Sequence, residues 1–193
     1  MTIFKSVLFK CVLCLLVIAA VAGALLSSLN DLLYVSDAER TMRAIRKIYG
    51  EEKQSEKILD ENDAEIDYDF GNISKIYKIE NDLLFYATGY EGYKNGTVSL
   101  WIKTVSEDEN FKIDKVVLGN SEKQTLMSKL TGDFYKDFVT DDIEILYEEE
   151  KYFGAKADAK NPNPVTGATY SATAACNAVN CVIKYLGEFG GEK

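Results

Sequence analysis

Polar and apolar positions divide the chain sharply at its start. From Cys11 to Leu29 nineteen residues, CVLCLLVIAAVAGALLSSL, carry no charge. A helix of that length covers about 28 Å, close to the hydrocarbon thickness of a bilayer, so the run predicts one membrane-spanning helix. A cleaved signal peptide is the competing reading, since Ala20, Ala22 and Ala24 are small residues at the spacing a signal peptidase accepts. The apolar run continues past those sites through Leu25, Leu26 and Leu29, which favours an anchor. Either way the remainder is exported. Lys5 and Lys10 precede the run, and Arg40, Arg43, Arg46 and Lys47 follow it, so basic residues alone do not fix the orientation. The early position of the run, with Asp31, Asp37 and Glu39 at its far end, predicts a cytoplasmic N terminus and an extracytoplasmic domain.

Ser36 and Glu39 have the spacing of a capping box, and the stretch to Tyr49 predicts a short basic helix ended by Gly50. Residues 51–69 are acidic and weakly patterned, which predicts a solvated linker or lid. Strand-like runs follow at 74–79, 83–90, 98–105 and 111–118, punctuated by Gly, Asn and Asp, and predict an antiparallel sheet. Leu126, Leu130, Phe134 and Phe138 recur every four residues, which predicts a helix over 121–139, and 143–147 reads as a further strand. A last helix is expected over 170–186, where Ala175, Ala178, Val179, Val182, Ile183 and Leu186 form one apolar stripe suited to burial against a sheet. The fold class is α+β. The organisation is an anchor over 1–30, a juxtamembrane helix and acidic linker over 31–69, and a single extracytoplasmic domain over 70–193.

Composition narrows the function. With 47% hydrophobic residues and two prolines in 193, the chain folds around a core and is neither disordered nor collagen-like. Its net charge is −9, and removal of the first thirty residues takes away Lys5 and Lys10 but no acid, leaving −11. Such a surface repels nucleic acid. There is no histidine, which removes His-based triads, the usual zinc hydrolase sites and any imidazole proton shuttle. Cys11 and Cys14 lie inside the apolar run and read as fillers. Cys176 and Cys181 are five apart on a predicted helix, about 140° around its axis, so both read as packing residues and not as a disulfide.

One segment carries candidate chemistry. Residues 161–171, NPNPVTGATYS, hold both prolines and run into the last helix. Pro162 and Pro164 restrict φ, Gly167 opens a conformation closed to other residues, and Thr166 or Thr169 is placed to cap the helix. An ordinary cap is one reading. The other is a phosphate site, because a helix N terminus offers free N–H groups and a favourable dipole, with hydroxyls at Thr166, Thr169 and Ser171 beside it.

On these residues the chain resembles the FMN-binding domain family, which includes the G component of the Rnf complex and the related C component of the sodium-pumping NADH:quinone oxidoreductase. That family has an N-terminal membrane anchor, an exported domain, and near its C terminus an [ST]GAT motif before a helix that often contains an AVN-like string. Here Thr166, Gly167, Ala168 and Thr169 are followed by Ala178, Val179 and Asn180. Gly89, Tyr90, Glu91 and Gly92 resemble the family's GYxG segment, and together the likenesses cover most of 75–186. The family's usual aspartate three residues before the motif is Asn163 here. Its ETPGLG loop beside the flavin survives only as Glu122, Thr125 and Leu126 in SEKQTLMSKL.

The resemblance implies covalent FMN, esterified through its phosphate to Thr169 by a separate flavin transferase, with Thr166, Gly167 and Ala168 shaping the turn. It implies an electron-transport flavoprotein that works with other membrane subunits of a redox-driven, Na+- or H+-translocating ferredoxin:NAD oxidoreductase, and that is not catalytic alone. Tyr90, Tyr93 and Trp101 are candidates for the wall beside the flavin ring, although strand aromatics more often serve packing. Acidic surroundings would make a flavin's potential more negative. A free-standing anchored flavoprotein and a flavin-free adaptor are the alternative expectations.

Overall fold

The computed structural model describes residues 7–59, 63–107, 110–140, 143–148, 152–154 and 167–189. The chain divides into two compact units, Met1–Met42 and Arg43–Lys193. The first is dominated by α1 (Val7–Leu33), in which Phe9–Asn30 has a mean hydropathy of 2.6. This helix is long and apolar enough to cross a membrane. α2 (Asp37–Tyr49) opens where the Glu39 N–H donates to Ser36 Oγ at 3.2 Å, half of the expected capping box, and ends at Gly50, whose φ of +83° suits glycine.

The second unit is built on a six-stranded antiparallel sheet: β1 (Glu56–Leu59), β2 (Ile66–Tyr68), β3 (Gly71–Ile79), β4 (Asp82–Gly89), β5 (Thr97–Glu107) and β6 (Asn110–Glu122). The order is β1-β3-β4-β5-β6, and β2 pairs with the other half of β3's outer edge. Four of these strands are those expected from the strand-like runs and the Gly, Asn and Asp between them. The other two correct the expectation of a linker over 51–69, where short strands with mostly exposed side chains complete the edge of β3.

Two further expectations change. Residues 143–147 belong to a helix, α4 (Ile143–Glu148), in which Ile143 and Leu146 turn inward three residues apart. An apolar run that short fits either period. The helix expected over 121–139 is instead the end of β6, a left-handed Lys123 at φ +56°, a 3₁₀ turn (Met127–Lys129) and a five-residue α3 (Gly132–Lys136). β6 runs on because β5 begins at Thr97 and pairs with it as far as Glu122. Phe134 and Phe138 still meet, with ring centroids 5.2 Å apart in an edge-to-face arrangement.

α5 (Thr169–Phe189) lies across one face of the sheet. Its buried stripe meets Ile73, Ile76, Phe85, Ala87, Leu100 and Ile102, the inward positions of three strands. Cys176 and Cys181 are buried and free within this core, as packing residues should be. The alternate positions Tyr77, Ile79, Leu84, Trp101 and Val117 face the other way and are covered by Ala44, Ile45 and Ile48 of α2. Alternation along the strands thus feeds two cores.

The contact between α5 and β4 is unusually close. A Cβ on Gly89 would lie 1.9 Å from the Ala174 carbonyl oxygen and 2.5 Å from the Ala178 nitrogen, so only glycine fits. Gly89→Val should therefore lower stability by about 3 kcal/mol, through overpacking. Gly132→Ala, where a Cβ meets nothing within 4 Å, should change it by less than about 0.5 kcal/mol. Urea unfolding of the full chain in detergent micelles, followed by circular dichroism, measures both.

Candidate functional site at the start of the last helix

The first turn of α5 is set by its backbone. The Ala168 carbonyl accepts from the Ala172 N–H at 2.9 Å, which makes Ala168 the N-cap residue. Its methyl side chain offers no acceptor to the first-turn N–H groups. Thr169 is the first residue inside the helix, with an exposed side chain, so it does not cap as one reading of the sequence expects. Its carbonyl accepts from Thr173 Oγ1 at 3.0 Å. Gly167 has φ +80°, the left-handed conformation that its type allows. A Cβ there would sit 2.9 Å from Lys129 Nζ, so the ammonium group rests against this turn. Thr166, Asn163 and the two prolines lie outside the described residues.

Beside the turn is a recess of about 330 Å³. Tyr93, Thr125, Leu126, Gly167 and Tyr170 line it, with buried Ala168 and Ser171 behind. The rings of Tyr93 and Tyr170 stand 6.4 Å apart, centroid to centroid. Tyr170 is 64% exposed, Tyr93 39% and Leu126 37%, so apolar surface faces solvent here with no covering element among the described residues. Thr125 and Leu126, two of the residues carrying the weak loop likeness, line the recess together with Gly167 and Ala168.

Gln124 holds the recess together. Its Oε1 accepts from the Tyr93 backbone N–H at 3.2 Å and from Ser171 Oγ at 2.8 Å, and its Nε2 donates to the Glu122 carbonyl at 3.0 Å. It is seated where Gly92 and Gly96 lack side chains: a Cβ on either would fall within 2.5 Å of Nε2. One amide thus joins the 3₁₀ turn (Tyr93–Asn95), the end of β6 and the first turn of α5. Asn177 adds a second tie, donating from Nδ2 to the Tyr90 carbonyl at 3.2 Å.

The predicted wall residues separate. Tyr93 lines the recess. Tyr90 does not: its N–H donates to the Phe70 carbonyl at 2.9 Å, and its ring stands near the Asp67 and Glu65 carboxylates. Burial first, and then those acids, raise the Tyr90 pKa. Trp101 is on the opposite face, packed against Tyr86 at 4.6 Å and Tyr77 at 6.3 Å between centroids, because odd and even positions of β5 point to different cores. Gln124, Lys129 and Tyr170 carry no motif. Their only signal is nearness in sequence to the loop and motif already noted. The AVN string has a structural role at Asn180, which is buried and exchanges two 2.9 Å hydrogen bonds with the Phe153 backbone.

Among the described residues no cluster of three or more His, Cys, Asp or Glu is placed to hold a metal. Comparisons of the chain with protein-family models, with curated proteins and with solved structures find no match.

Gln124→Ala should lower stability by about 2 kcal/mol, because the Tyr93 N–H and Ser171 hydroxyl lose an acceptor in a half-buried position. Guanidinium unfolding measures this loss. Burial pushes both helix thiols, Cys176 and Cys181, from an ordinary value of 9.0 up to about 12. The folded state holds the neutral thiol, so this stabilisation is complete below pH 9.0 and is lost as the pH rises toward 12. In a Cys11→Ser, Cys14→Ser background at pH 8, iodoacetamide should leave both thiols unmodified until denaturant is added, as read by mass spectrometry.

Proposed function

We propose that this chain is the electron-transfer G component of an Rnf-type, ion-translocating ferredoxin:NAD oxidoreductase, with FMN esterified through its phosphate to Thr169. The observation that carries the proposal is the position of Thr169. Its exposed side chain starts α5 two residues after left-handed Gly167, the turn against which the Lys129 ammonium rests. Its chain neighbours Ala168 and Tyr170, though not Thr169 itself, line the recess with two tyrosine walls.

The residues present suit the group. The helix N terminus and Lys129 offset phosphate charge, and the N-cap Ala168 leaves the first-turn N–H groups to an external acceptor. Tyr93, Leu126 and Tyr170 present the apolar and aromatic surface that a flat ring system packs against. When bound, FMN supplies one- and two-electron redox chemistry, and an ester keeps it from diffusing away outside the cell. Gln124 would fix the spacing between the Tyr93 turn and the helix, and Gly167 would let the chain reach Thr169 without a side chain meeting Lys129. In this reading α1 anchors the chain, the N terminus is cytoplasmic and the FMN domain is extracytoplasmic. Other membrane subunits of the complex exchange electrons with it, and a flavin transferase matures it.

The test is co-expression with a flavin transferase in an exporting host, followed by a denaturing gel viewed for flavin fluorescence and by intact mass. Wild type should fluoresce and gain the mass of one FMN less water. Thr169→Val should lose both signals, whereas Thr173→Val should keep them. Fluorescence persisting in Thr169→Val would overturn the acceptor assignment. A dark wild-type band, beside a positive control for the transferase, would leave a flavin-free adaptor.

A further inference from the structure

A second recess, of about 410 Å³, lies away from the Thr169 turn and is lined by residues 114–118 of β6 with Lys47, Tyr135, Lys136 and Val139. Five consecutive strand residues share it. Successive side chains in a strand point to opposite faces, and here Val116 belongs to the core under α5 while Val117 belongs to the core under α2. A recess that touches all five therefore runs along the backbone edge. β6 ends the strand order, and its other side is β5. Along the open side, the described residues contribute a single bridge, in which Ile113 and Thr140 exchange backbone hydrogen bonds of 3.0 and 3.2 Å. Residues 114 to 118 of that edge border the recess. Unpaired strand edges are templates for another strand.

The two sides of this groove differ in character. On the α2 side, Lys115 Nζ donates to the Ile48 and Lys47 carbonyls at 3.0 and 3.3 Å, holding its charge at the rim beside Lys47. On the α3 side, Tyr135 and the 48% exposed Val139 form an apolar wall, and Lys136 at its margin is paired with Asp133 at 2.8 Å, so the basic rim is that of Lys47 and Lys115. The acid among the lining residues, Asp114, is paired with Lys103 at 2.7 Å. A local basic rim thus borders an apolar wall on a chain whose net charge is −9.

We infer that this groove binds an extended peptide segment of a partner protein, which adds to the sheet as a strand beside β6. Its residues alternate between acidic side chains facing Lys47 and Lys115 and apolar side chains facing Tyr135 and Val139. Period-two alternation of the ligand matches the two-sided groove. A second copy of this chain is disfavoured, because antiparallel pairing of two β6 edges would bring the two lysine rims together. The inference stands independently of the flavin reading.

The probe is a fluorescein-labelled, eight-residue peptide of alternating Glu and Val, titrated against the full chain in nonionic detergent and read by fluorescence anisotropy. An alternating Lys and Val peptide is the control. The acidic peptide should bind more tightly than the control by at least about tenfold, and added salt should weaken it. Its saturation should slow exchange of the edge-facing amides within 114–118, every second one along the strand, by about tenfold or more. The surface variant Lys47→Glu, folded by circular dichroism, should reduce binding by about tenfold. Equal binding of the two peptides, no saturable signal up to about 1 mM, or protection confined to other strands would overturn the inference. So would a peptide-free protein that sediments as a dimer with those amides already protected, since the occupant would then be a second copy.

Discussion

The close seating of α5 on β4 is the constraint from which the other arrangements follow. Helix backbone reaches strand backbone because Gly89 has no side chain and Ala174 and Ala178 face it. One turn further along, Gly71 makes the same allowance for Cys181, whose Sγ would lie 2.8 Å from an added Cβ. Two glycines on adjacent strands thus fix both the height and the position of the helix over the sheet. Its N terminus is delivered to the same end of the sheet as the 3₁₀ turn of Tyr93, and the recess forms between them.

Apolar seating alone does not hold the loops at that end. Two side-chain amides do, Gln124 at the Tyr93 turn and Asn177 at Tyr90, and midway along the helix Asn180 does the same for Phe153. Buried backbone donors and acceptors without partners are costly, and an amide offers both functions in one short group. Asn177 and Asn180 thus reach out from the helix, and Gln124 reaches in to it from the loop after β6. The proposed attachment point at Thr169 inherits its position from this network, not from contacts of its own.

The parts of the fold that are legible in sequence are those with long, unambiguous periods. Strands β3 to β6 are strand-like runs of eight or more residues bounded by turn residues, and α5 keeps an apolar stripe over most of its length. β1 and β2 are not legible because their side chains are largely exposed, so the only signal is the hydrogen bonding that β3 supplies. α4 reads as a strand because six residues are too few to separate the two periods. At the site, Thr169 and Gly167 stand out because a turn into a helix has its own residue chemistry. Gln124 and Lys129 do not, since they arrive from a segment more than thirty-five residues away and are ordinary polar residues there. For Trp101, residue type predicts burial but leaves the face undecided, and the pleat decides it.

That face has an optical consequence. Trp101 is the single tryptophan of the chain, and it is enclosed by Tyr77, Tyr86 and the underside of α2. Intrinsic emission excited at the indole band therefore reports on the back of the sheet, including the seating of the basic helix there. The FMN proposed at Thr169 would be separated from that indole by the β-layer, so energy transfer between them would gauge that separation.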